Sequence, residues 1–190
     1  MESQLLDFES LGDIAVLQSG TVSKEDAFKL KKFIFENTHR IYQPQKDQLF
    51  NMRIAALKTM NRPDYTKSIV LAGKAYQKVQ NDVLESVCSH FKLTAANLQL
   101  SIASMVQDAQ LRNKIVQLEM DIQNGEKITE FKQTREELKN IYIERLRMEI
   151  ALKQRLSRME LQSPGKNMEF KTIESTRIHD SIFVKYGLKI

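Results

Sequence analysis

From Thr129 to Gln162 the chain carries neither proline nor glycine. Through that stretch Leu138, Ile141, Arg145, Met148, Leu152, Leu156 and Met159 recur at steps of three and four, a heptad-like stripe. That is the period of one face of an α-helix. Ile143, Leu146 and Ile150 make a second stripe on another face. At about 1.5 Å per residue the helix is roughly 50 Å long, against about 30 Å for the width of a compact domain of this size. Part of it is therefore expected to project, and an apolar seam on a projecting helix calls for a partner, from its own chain or another.

The remainder reads the same way. Six glycines and three prolines in 190 residues, with no tryptophan, favour long helices over sheet. Ser23 and Asp26 form an approximate capping box that starts a helix with Ala27, Leu30, Phe33 and Ile34 on its apolar face. Pro44 is expected to break that helix and Pro63 to stop the next, with Asp64 as a cap for the one after. Residues 65–91 step by three or four throughout, with Gly73 inside. Thr94 and Asp108 cap two shorter helices, and Asn124-Gly125 ends the run. The fold expected is all-α: a bundle of about five helices over 23–125, the long amphipathic helix over 126–162, an acidic docking segment over 1–22, and an extended tail over 163–190. Ser163-Pro164-Gly165 separates the tail, where Val184, Tyr186, Leu188 and Ile190 alternate with Lys185, Gly187 and Lys189 in the period of a strand. Ser163-Pro164 also matches a proline-directed phosphorylation pattern.

Groups able to do chemistry do not converge. His39, His90 and His179 lie in different segments. Cys88 and His90 are two apart on a helix and point about 200° away from one another. His179, Asp180 and Ser181 are triad residue types, but adjacency in sequence is not triad geometry. No paired-cysteine or HExxH spacing, phosphate-cradling glycine loop or calcium loop is present. No catalytic, cofactor-binding or metal-ligating residue is named, and the chain reads as a non-enzyme. Cys88 alone excludes an internal disulfide framework and fits a reducing, cytoplasmic setting.

The net charge is +5, and the first 22 residues hold Glu2, Asp7, Glu9 and Asp13 without a lysine or arginine. That is unlike a secretory signal or an arginine-rich transit peptide. No apolar run is long enough to span a membrane. The long helix is basic, with Arg145, Arg147, Lys153, Arg155 and Arg158 among its apolar residues. Such a helix suits a calmodulin-like protein, another acidic protein surface or anionic lipid. Glu144, Glu149 and Glu160 count against lipid. Nucleic acid is not expected, since the basic residues are dispersed and no aromatic platform accompanies them.

The stretch AYQKVQNDVLESVCSHFKLTAANLQLSI, followed by EFKQTREELKN, resembles part of the BART domain. The resemblance covers about a third of the chain and lacks that family's acidic, aromatic-rich lead-in. It implies an all-helical effector of Arf-like small GTPases, and no binding residue is carried over from it.

The leading expectation is a structural or scaffold protein docking into a multi-subunit assembly, of which cytoskeletal and ciliary lattices are examples. The residues expected to touch partners are Arg145, Arg147, Leu152, Arg155 and Leu156 on the helix, and Phe183, Val184, Tyr186, Leu188 and Ile190 on the tail. Self-association through residues 129–162 is a further expectation.

Overall fold

A computed structural model describes residues 6–124, 133–160 and 167–187. Among them the chain forms six α-helices and no strand: α1 (Lys24–Lys58), α2 (Arg62–His90), α3 (Ala95–Val106), α4 (Ala109–Asn124), α5 (Arg135–Glu160) and α6 (Asn167–Tyr186). The all-α expectation holds. Ser23 caps α1 by accepting the Asp26 N–H at 3.1 Å. Thr94 caps α3 and Asp108 caps α4, as their positions in the sequence foretold.

Pro44 does not break the chain, because α1 runs through it. Proline lacks the N–H that would bond the Arg40 carbonyl, a defect worth about 3 kcal/mol in a helix interior. Tertiary packing on both sides outweighs it. Tyr42 is buried edge-on against Tyr76 at 5.3 Å and donates its hydroxyl to the Ala72 carbonyl at 3.2 Å, and Ile54 and Ala56 are buried farther on. Pro63 likewise sits inside a first turn, where no N–H is needed; Asn61 supplies the cap, accepting the Asp64 N–H at 3.2 Å.

α1 and α2 close alike. The Asn61 N–H reaches the Ala56 carbonyl and Met60 the Leu57 carbonyl; Leu93 reaches Cys88 and Lys92 reaches Ser89. Met60 and Lys92 take positive φ in these Schellman closures.

The chain divides into two compact units, Met1–Asp47 with Ala72–Lys127, and Gln48–Leu71 with Ile128–Ile190. The first unit has a core of Leu30, Phe33, Val83, Val87, Leu98 and Met105 with their neighbours. The segment 1–22, expected as an acidic docking segment, forms a 3-10 turn, Phe8–Leu11, among its described residues. Its apolar residues Leu6, Phe8, Leu11 and Ile14 pack on the unit's own core, with Phe8 stacked on His90 at 4.2 Å and on Phe33 at 5.3 Å. Gly20 turns this segment at φ +77°, where a side chain would also run into Asn97.

In the second unit α5 and α6 pack along one another. Thr134 and Glu137 form a full capping box, so α5 starts at Arg135 rather than near Thr129. Its 26 residues make it about 39 Å long. The extended tail is corrected: residues 167–186 are helix. Strand-like alternation is confined to its last residues, and Leu188 and Ile190 lie outside the described ones. Upstream, Glu174, Ile178 and Ile182 step by four, and Glu174, Asp180 and Ile182 are buried. Gly187, at φ +71°, ends α6 by donating its N–H to the Phe183 carbonyl at 2.7 Å.

Candidate functional site

All parts of the candidate site belong to the second unit. It begins with what holds α6. Asp180, 3% exposed, accepts two bonds from Arg53, at 2.5 Å from Nε and 3.1 Å from the other guanidinium nitrogen, and a third from the Tyr65 hydroxyl at 2.8 Å. Burial, then this bond to the carboxylate, pushes the Tyr65 phenol far above its ordinary value near 10. One turn and a half earlier, the buried Glu174 pairs with Arg62 at 3.1 Å and with Arg177 at 2.7 Å. Phe183 meets Phe50 edge-on at 5.0 Å. At the far end Glu144 of α5 accepts from Lys185 at 2.8 Å and from the Tyr186 hydroxyl at 2.5 Å, and those bonds lower its carboxyl below the usual range. His179 is also lowered, first by burial and then by the Arg145 charge beside it.

These attachments fix which way α5 faces. Ile141 and Leu156, from its heptad-like stripe, are buried. Of the second stripe Ile143 is half-buried; Leu146, 42% exposed, and Ile150, 48% exposed, are left in water together with Tyr142, 64% exposed. The three stand one turn apart on one face. Lys139 and Lys153 continue the same line beyond its two ends, giving steps of three, four, four and three from 139 to 153. Neither lysine has an ion-pair partner among the described residues, and Arg147 is exposed beside Leu146. Two of the acids that counted against lipid are engaged elsewhere: Glu144 with α6, and Glu149 with Arg145 at 2.8 Å. The side chain of Glu160 lies outside the described residues.

A shallow groove of about 360 Å³ runs between α5 and α6. Met148, Leu152 and Ile178 line it together with Arg155 and Arg177. Arg155 also covers the Phe170 ring at 5.0 Å. Arg177 is committed to Glu174.

Of the ten residues expected to touch partners, Leu188 and Ile190 lie outside the described residues, and the other eight separate. Arg147 and Val184 are exposed, and Arg155 and Leu152 border the groove. Arg145 is held by Glu149, Leu156 is buried, Phe183 packs on Phe50, and Tyr186 is bonded to Glu144. Sequence reasoning passed over Tyr142 and Lys139, and named Lys153 only for the basic character of the helix. Tyr142 lies four residues before Leu146 and so completes the second stripe, which is the signal that marks it. The Arg53–Asp180–Tyr65 cluster left no such signal, because its members are 115 and 127 residues apart.

Among the described residues no group of histidine, cysteine, aspartate and glutamate is placed to hold a metal ion, and no helix is long and apolar enough to cross a membrane. Cys88, in the first unit, has its thiol raised by burial and by Glu85. Comparison with protein-family models, curated proteins and solved structures found no match for this chain.

Proposed function

We propose that this chain is a non-enzymatic docking component of a larger protein assembly and that the outer face of α5 is its contact surface. The observation that carries the reading is the two-sidedness of α5. One apolar stripe is used inside the second unit, and Tyr142, Leu146 and Ile150 on another face remain in water. A contiguous apolar row rimmed by charge is what a protein–protein contact uses and what an isolated surface helix has no need of. In this scheme Leu156 is buried, Tyr186 ties α6 to Glu144 of α5, Phe183 packs on Phe50 and Arg145 is held by Glu149 on its own helix, so the contact itself falls to the exposed stripe with Arg147 at its side.

Affinity purification from the native source tests this, comparing the unaltered chain with Leu146→Asp and, separately, Ile150→Gln. Loss of the same stoichiometric companions from both variants, with the helical circular dichroism unchanged, is the expected result. Retention of every companion by both folded variants removes this face as the docking surface.

A further inference from the structure

We infer that the occupant of the α5 face is an acidic amphipathic helix of another protein, recognised through Tyr142, Leu146 and Ile150 together with the lysines at either end of them; this rests on the docking role proposed above. The stripe from Tyr142 to Ile150 is about 12 Å long, and Lys139 and Lys153 stand about 21 Å apart on the same line. The apolar contact is therefore limited to roughly two turns and closed at both ends by a cation. A helix of about four turns matches it when its own apolar residues sit at i, i+4 and i+8 and carboxylates lie beyond each end of that row. Arg147, exposed beside the middle residue, adds a third positive charge along the flank.

The same line of residues argues against two other occupants. The pattern is symmetric about Leu146. A second copy of the chain laid antiparallel on this face would match Leu146 with Leu146, but would bring each Lys139 against the other's Lys153. Like charges facing across a contact oppose it. A membrane-surface helix carries its cations along the sides of the apolar face, where they reach the headgroups while the apolar row sinks. Here the lysines sit in the row itself, so sinking Tyr142, Leu146 and Ile150 would carry two ammonium groups down with them. Ion pairing to carboxylates placed at the two ends of a partner helix satisfies both lysines without that conflict.

The experiment uses the full chain and a fluorescent synthetic helix of about four turns, with three leucines in one stripe and glutamates beyond each end. A twin has the glutamates replaced by lysines. Anisotropy titration is expected to show binding of the acidic helix that weakens with added salt. Binding should fall about tenfold or more for the lysine twin and for the double variant Lys139→Glu/Lys153→Glu. That double variant should in turn prefer the lysine twin, the reversal that a purely apolar contact would not produce. Equal binding of both helices, or of neither, overturns the inference. So does binding confined to phosphatidylserine vesicles, or a concentration-dependent dimer of the chain that Leu146→Asp abolishes. Purification from the native source separates the two levels of argument. If Leu146→Asp and Ile150→Gln lose a companion that the double lysine variant retains, the docking face stands and its acidic occupant falls. If all three retain it, the docking face falls as well.

Discussion

Replacing Asp180 by alanine is the change that most directly probes how the second unit holds its last helix. Asp180 is 3% exposed and supplies both acceptors for Arg53 and the acceptor for Tyr65, which is itself 2% exposed. Removing one partner of a buried, bidentate ion pair leaves the other charge uncompensated, a loss of about 3–5 kcal/mol. Orphaning a buried hydroxyl is worth about 1–3 kcal/mol. The two losses overlap because both arise at one carboxylate, so about 4 kcal/mol is expected for Asp180→Ala. Against a whole-domain stability of about 5–15 kcal/mol, that is enough to free α6 well before the rest unfolds. Asp180→Asn keeps an acceptor for Tyr65 and removes the charge, so it should lose clearly less. The double change Arg53→Met/Asp180→Leu removes both charges together and should recover the part of the deficit that comes from the unpaired charge, leaving the Tyr65 hydroxyl still without its acceptor. Urea unfolding followed by circular dichroism gives the totals, and hydrogen exchange of the α6 amides locates them. A loss below about 1 kcal/mol for Asp180→Ala would contradict the buried-pair argument, and so would a double variant no more stable than the single one.

The Thr38 hydroxyl is buried in α1 without a hydrogen-bond partner among the described residues. Thr38→Val keeps the shape and removes the orphan, so it should raise stability by about 1 kcal/mol in a thermal melt; a destabilised variant would mean the hydroxyl has a partner. Gly73 lies within α2 with nothing near the position of an added Cβ. Gly73→Ala should therefore stabilise by about 0.5–1 kcal/mol, measured by urea unfolding, and any loss would reveal an unseen close neighbour. His179 has its value lowered in the fold by burial and by Arg145, although Glu149 and Asp180 pull the other way. A depressed value means the folded state resists protonation. Its contribution is whole above the ordinary value near 6.5 and declines as the pH falls below it. The unfolding midpoint should drop on acidification through that range, less so in His179→Gln; identical pH curves for the two would refute the assignment.

Much of the helix inventory was legible in the residues because it rests on interactions that span a few positions. Ser23, Thr94 and Asp108 cap where their side chains reach N–H groups two or three residues on, and the stripes of α2 and α5 are visible as steps of three and four. Pro44 misled for the opposite reason. A proline's local penalty is visible in sequence, but the packing of Tyr42 against Tyr76 that overrides it joins residues 34 apart in the chain. The tail misled likewise. The alternation in its last residues is a local pattern, whereas the helix is held by Arg53, Arg62 and Tyr65, more than a hundred residues upstream.

By itself, then, the sequence determined that the chain is helical, where α1, α3 and α4 begin, and that α5 carries two apolar stripes. Only the tertiary structure decided which of the two stripes is consumed, and that Leu146 and Ile150 of the other are left to water. The two are alike in residue type and period, and what distinguishes them is the covering of Ile141 and Leu156 inside a unit whose α6 is anchored from the distant part of the chain. Local spacing specifies the faces a helix offers; burial against partners remote in sequence selects the one it keeps.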